Sequence, residues 1–118
     1  MPNTKSIGIA YADQQLSMLT INAPVTKTAS FTLADDETFV IANGASANVT
    51  VTLPAANISA GRVVVIKNLS ATYTVVSASS NVQPRTSSTA GTAILAATAG
   101  AWAILVCNGS NWVVMAGN

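Results

Sequence analysis

Trp102-Ala-Ile-Leu-Val-Cys107, then Asn108-Gly-Ser-Asn111, then Trp112-Val-Val-Met115, is the stretch that decides the fold of this chain. Two apolar runs flank an Asn-Gly turn signal, and each opens on a tryptophan. Asn-Gly supplies the left-handed backbone that a tight hairpin turn needs, so the stretch predicts two antiparallel β-strands. From Thr86 to Asn118 no side chain is charged. A hairpin this apolar must pack on a sheet, on a copy of itself or on a partner. The pattern points to an assembly module and away from an enzyme.

Upstream, the chain reads as short strands between turn residues. Ala29 to Leu33 puts Phe31 and Leu33 on one face, and Asp35-Asp36-Glu37 follows as a polar, solvated corner. Thr38 to Ala42 is the next strand, ended by Asn43-Gly44. In Asn48-Val-Thr-Val-Thr-Leu53, Val49, Val51 and Leu53 face inward while Asn48, Thr50 and Thr52 face outward. Pro54 stops that strand because it brings no backbone donor. Gly61 opens Arg62-Val-Val-Val-Ile-Lys67, whose consecutive β-branched residues predict a strand buried on both faces, central or between subunits. Tyr73 to Ser77 is a further strand, Ser79 to Gly91 reads as loop, and Thr92 to Ala97 fits a short strand or a helical turn. Turn signals at roughly 8–12-residue spacing predict an all-β fold, a small sandwich or barrel. No exact internal repeat is visible.

The 118 residues make one domain's worth of chain. Half are hydrophobic and only 8% are charged, which favours folding over disorder. Lys5, Lys27, Arg62, Lys67 and Arg85 are scattered and the net charge is +1, so no basic stripe can track nucleic acid. So neutral a surface repels its own copies weakly, and self-association is expected. Met-Pro-Asn-Thr-Lys lacks the apolar core of a secretory signal. Ala90 to Cys107 is uncharged but rich in Ala, Gly and Thr and runs into the hairpin, so no membrane span is expected.

Residues 1–28 read as an extended N-terminal arm and 29–118 as the β-domain. In the arm, Ile7, Ile9 and Tyr11 alternate with small or polar residues, and Leu16 to Ile21, including Met18, is again apolar. Asn22-Ala-Pro24 is a break. Such an arm lies along a partner, or it is the first strand of the domain.

Catalytic chemistry is missing from the sequence. There is no histidine, which removes Ser-His-Asp and Cys-His catalysis, and the one cysteine, Cys107, cannot build a zinc site or an internal disulfide. Neither nucleotide-binding glycine motif is present. Asp35, Asp36 and Glu37 are adjacent, and a carboxylate pair for glycoside cleavage must face across a cleft. No cofactor is expected. Tyr11, Tyr73, Trp102 and Trp112 are the aromatics that could stack on sugars, but both tryptophans sit inside apolar runs that suit a core or an interface better.

Three segments carry a resemblance: Asn48-Val-Thr-Val-Thr-Leu-Pro-Ala-Ala56, Ala60-Gly-Arg-Val-Val-Val-Ile-Lys-Asn68 and Asn108-Gly-Ser-Asn-Trp-Val-Val114. Their order resembles the small β-structured virion modules of tailed bacteriophages, found in tail-fibre tips, head fibres and capsid decoration proteins. Ile7-Gly-Ile-Ala-Tyr-Ala-Asp-Gln14 is similar to the start of some short prophage head proteins. The resemblance covers about residues 30–116 and carries no catalytic residues. It implies a homotrimer on the virion, made in the host cytoplasm. With Met1 as its start and no fibrous shaft, the chain is expected to be a free-standing capsid decoration (cement) protein on the head exterior, with the major capsid protein as partner. Ile7, Ile9, Tyr11, Leu16 and Met18 would be the partner-binding arm, and Val63, Val65, Trp102 and Trp112 the subunit interface. The alternative is a receptor- or glycan-binding tail-fibre tip, with a host surface glycan held by Tyr73 and the Ser79–Thr89 loop.

Overall fold

The computed structural model describes residues 22–118. Among them are ten strands, one short 3-10 turn at Ala56–Ile58 and no α-helix. The strands are β1 (Val25–Lys27), β2 (Phe31–Thr32), β3 (Phe39–Ala42), β4 (Val49–Thr52), β5 (Val63–Asn68), β6 (Val75–Ser77), β7 (Val82–Gln83), β8 (Ala93–Leu95), β9 (Ala101–Cys107) and β10 (Trp112–Gly117). A six-stranded sheet runs β1-β3-β5-β9-β10-β7, and a four-stranded sheet runs β2-β4-β6-β8. The two share one apolar core, and neither closes into a barrel.

The first six strands alternate between the sheets. β1, β3 and β5 lie parallel in one, and β2, β4 and β6 lie parallel in the other. Parallel neighbours need a crossover, and here each crossover is the strand donated to the opposite sheet. The result is a short solenoid of three coils, β1–β2, β3–β4 and β5–β6. Its coils are unequal: Val25, Val40 and Ile66 stack at steps of 15 and 26 residues, and Phe31, Val51 and Ser77 at steps of 20 and 26. No fixed period survives such inequality. The β9–β10 hairpin closes the stack by pairing antiparallel to β5, while β8 pairs antiparallel to β6.

Several sequence expectations change. β1 falls within residues 1–28, so the domain begins before Thr28 and takes in part of the expected arm. The Ser79–Gly91 loop contains β7, which pairs with β10 through Trp112↔Val82. The ambiguous Thr92–Ala97 segment is the strand β8. In β5 only Val64, Ile66 and Asn68 face the core, while Val63 is 41% exposed and Val65 half-buried. The hairpin turn spans four residues: Asn108 Oδ1 accepts from the Ser110 and Asn111 N–H groups, and Gly109 takes φ +95°.

β1 and β2 are the outer strands at the N-terminal end of the stack. Lys27 sits opposite Ala42, on the inward side of β1, and its ammonium lies 4.8 Å from the Phe31 ring centroid. Glu37 accepts from that ammonium at 2.8 Å and from the Ala34 N–H at 2.9 Å. Arg62 donates to the carbonyls of Ala34 and Glu37 at 2.7 and 2.8 Å. Glu37 is therefore clamped, unlike the solvated corner expected for it. An inward charge on an edge strand also blunts strand addition there.

The Ala34 N–H first, then Lys27, hold the Glu37 carboxyl below the ordinary glutamate value, against a smaller opposing effect of burial. A lowered folded value means the contribution to stability is full above the unfolded value of about 4.5 and is lost as pH falls through the folded one. Urea midpoints of the wild type should therefore drop between neutral and strongly acidic pH more steeply than those of Glu37→Gln. Parallel pH profiles for the two proteins would remove this role from Glu37.

Candidate interaction surface

Side chains alternate across a strand, so each sheet has an inner and an outer face. On the four-stranded sheet the outer face carries Thr32, Thr50 and Thr52, whose hydroxyls suit water, with Val76 and Ala93 beside them. The outer face of the six-stranded sheet is different in kind. Registry places Phe39, Val65, Ile104 and Ala116 in one transverse row, and Val63, Val106 and Val113 in the next. Ile41, Lys67 and Trp102 form a third row. Polar groups occur only around these residues: Thr26 beside Ile41, Lys67 in the end row and Gln83 beyond Val113. An apolar centre with a polar rim is the anatomy of a protein interface.

The face has relief. A groove of about 220 Å³ is lined by Pro24, Phe39, Val40, Ile41, Val65 and Lys67. Trp102 projects from β9 beside it, opposite Lys67 in registry, and remains 38% exposed. Large aliphatics and an indole left accessible in this way are a surface that no other described residue covers.

The expected subunit-interface residues divide by strand parity. Val63, Val65 and Trp102 share this outer face. Trp112 does not: it lies opposite Cys107 on the inner side, is fully buried, and donates from Nε1 to the Pro54 carbonyl at 3.0 Å. With no accessible area it has nothing to offer a partner, and it is a core residue. Phe39, Ile41, Ile104, Val106 and Val113 were not singled out from sequence. The arm residues Ile7, Ile9, Tyr11, Leu16 and Met18 lie outside the described residues.

The residues expected to hold a glycan flank β6. Tyr73 precedes β6 and Ser79 follows it, so Tyr73 and the Ser79–Thr89 loop stand at opposite ends of one strand. Among the described residues no three His, Cys, Asp or Glu side chains cluster as metal ligands, and no helix is long and apolar enough to cross a membrane.

The segments that carry the virion resemblance do meet. Pro54 lies just beyond β4 and its carbonyl accepts from Trp112 Nε1, and Cys107 Sγ lies 3.3 Å from the Ala56 carbonyl oxygen. The Gly61 N–H donates to the Cys107 carbonyl at 2.7 Å. The Pro54–Ala56 stop, the Gly61 entry and the hairpin are thus parts of one corner. In comparisons with known proteins, no family model matches this chain, and neither a curated protein nor a solved structure does.

Proposed function

We propose that this protein is a virion structural component of a tailed phage, a capsid decoration protein that forms trimers on the head exterior and stabilises the lattice without catalysis. The observation that supports this reading is the corner just described. The hairpin segment is far in sequence from the other two, which are near neighbours, yet all three interlock through Pro54, Ala56, Gly61, Cys107 and Trp112. The contacts gather on Cys107 and Trp112, the two residues that flank the hairpin turn. The mechanism is linkage: a protein that binds only the assembled shell adds its binding free energy to that state alone. A surface of Thr, Ser and Asn with few ion pairs loses little to salt.

Residues 1–21 are the segment proposed to grip the capsid. Deleting them should leave a folded, self-associating domain that no longer co-sediments with capsids. Full capsid binding by the truncated protein would reassign the contact to the β-domain. Gold-labelled antibody on particles tests the location: label over the head is expected, whereas label confined to the tail tip would turn the reading to a receptor-binding module.

A further inference from the structure

We propose that the outer face of the six-stranded sheet is the surface through which copies of this chain bind one another, with Trp102 of one copy seated in the Pro24–Phe39–Ile41–Val65 groove of the next. This deepens the assembly reading above by naming its surface and partner, and it rests on that reading only for the biological setting.

Three observations select a copy of the same chain as the occupant. The first is relief: one face carries both a projecting indole and an apolar groove of about 220 Å³, so the surface is complementary to itself. Knob and groove side by side allow reciprocal insertion about a two-fold axis or head-to-tail insertion that closes a ring. The second is charge. Lys67 is the only charged side chain on the rows of this face, at the end beside Trp102, and the chain as a whole carries +1. A strongly charged partner would find nothing here to pair with, whereas a neutral copy meets no repulsion. The third is area. Strands about 4.8 Å apart, with roughly 3.3 Å per residue, give this sheet a flat footprint of about 500 Å². Two copies then bury about 1,000 Å², the size at which specific association begins.

The same geometry explains the opposite sheet. Its outer face repeats threonine where this one repeats valine and isoleucine, although both have the same pleat. Strand propensity alone would accept either, because threonine and valine are both β-branched. The choice of hydrocarbon on one face only follows if that face is dry in the working state.

Native mass spectrometry of the full chain at micromolar concentration tests this. The wild type should appear as a discrete oligomer. Trp102→Asp and Val65→Asp should shift the protein to monomer, with self-association weakened roughly 30-fold or more, the size of a hot-spot loss. Circular dichroism should show both variants folded; Trp102 is the more exposed of the two positions, so its variant carries the test. Thr50→Asp, on the other sheet's outer face, should leave the oligomer intact. A monomeric wild type overturns the proposal, as does an oligomer that survives Trp102→Asp. A monomer that binds an apolar dye only after residues 1–21 are deleted would give the face to the chain's own N-terminal segment, and also overturns it. Particle labelling is read separately: an oligomer that labels no particle defeats the virion reading alone, and a head-bound monomer defeats this contact alone.

Discussion

Trp112→Ala should come close to unfolding this domain. Trp112 is the largest fully buried side chain, and it sits where β10, β7 and the end of β4 meet. Truncating a buried aromatic to alanine costs about 3–5 kcal/mol, the lost transfer energy plus the cavity left behind. A small domain has only about 5–15 kcal/mol in total. The variant also strands the Pro54 carbonyl, which accepts the indole N–H. Thermal melts followed by circular dichroism should show a midpoint at least about 15 °C below the wild type. Trp112→Phe separates the two contributions. It keeps most of the ring and abandons the hydrogen bond, which should cost about 1–3 kcal/mol.

Trp102 provides the contrast. It is the other tryptophan of the hairpin, but its side chain points out of the six-stranded sheet. In a dilute monomer Trp102→Ala should lose far less stability than Trp112→Ala. A Trp112→Ala protein within about 1 kcal/mol of wild type would mean that the corner is not the centre of the core, given the usual size of such losses.

The two tryptophans also mark how far the sequence could be read. Their strands and the hairpin were legible, because two apolar runs about a turn residue leave few other folds. The inward set Val49, Val51 and Leu53 was legible too, since polar threonines fill the alternate positions. Alternation fails in β9, where both sets are apolar. Bulk would place Trp102, Ile104 and Val106 inside, yet Ala101, Ala103, Leu105 and Cys107 face the core. The winding into coils was illegible for a different reason. A period of two reports burial but not which strand lies alongside or in which direction it runs. Coils of 15, 20 and 26 residues left no repeat to reveal the stacking. Of the candidate surface, three outer-face residues, Val63, Val65 and Trp102, emerged from sequence because valine-rich and tryptophan-bearing strands are conspicuous. Phe39 and Ile41 were missed because their apolar character was already accounted for by an ordinary strand.

Asn68→Leu should be nearly as damaging as Trp112→Ala, despite adding hydrocarbon to an inward position. Asn68 is 1% exposed at the end of β5, on the core side. Its amide donates to the carbonyls of Tyr73 and Ala96 at 2.9 Å each, and its oxygen accepts from the Ser70 N–H at 3.0 Å. One side chain thus ties β5 to the turn into β6 and to the loop between β8 and β9. Leucine fills similar space but leaves the Tyr73 carbonyl and the Ser70 N–H without partners, while the Ala96 carbonyl keeps the Thr98 N–H. At about 1–3 kcal/mol for each of these two groups, the loss should be about 2–6 kcal/mol. Asn68→Asp sharpens the test. At neutral pH it points carboxylate oxygens at two carbonyls, so the ionised form is disfavoured in the folded state and its folded pKa must lie above the unfolded one. Protonation restores one donor, so the deficit relative to wild type should shrink as pH falls through that raised value. This is opposite in sign to the acid loss expected from Glu37 in the wild type. Urea denaturation at neutral and mildly acidic pH reads both directions. If Asn68→Asp matches the wild type at neutral pH, the amide does not donate to Tyr73 and Ala96, and the tie between the two sheets lies elsewhere.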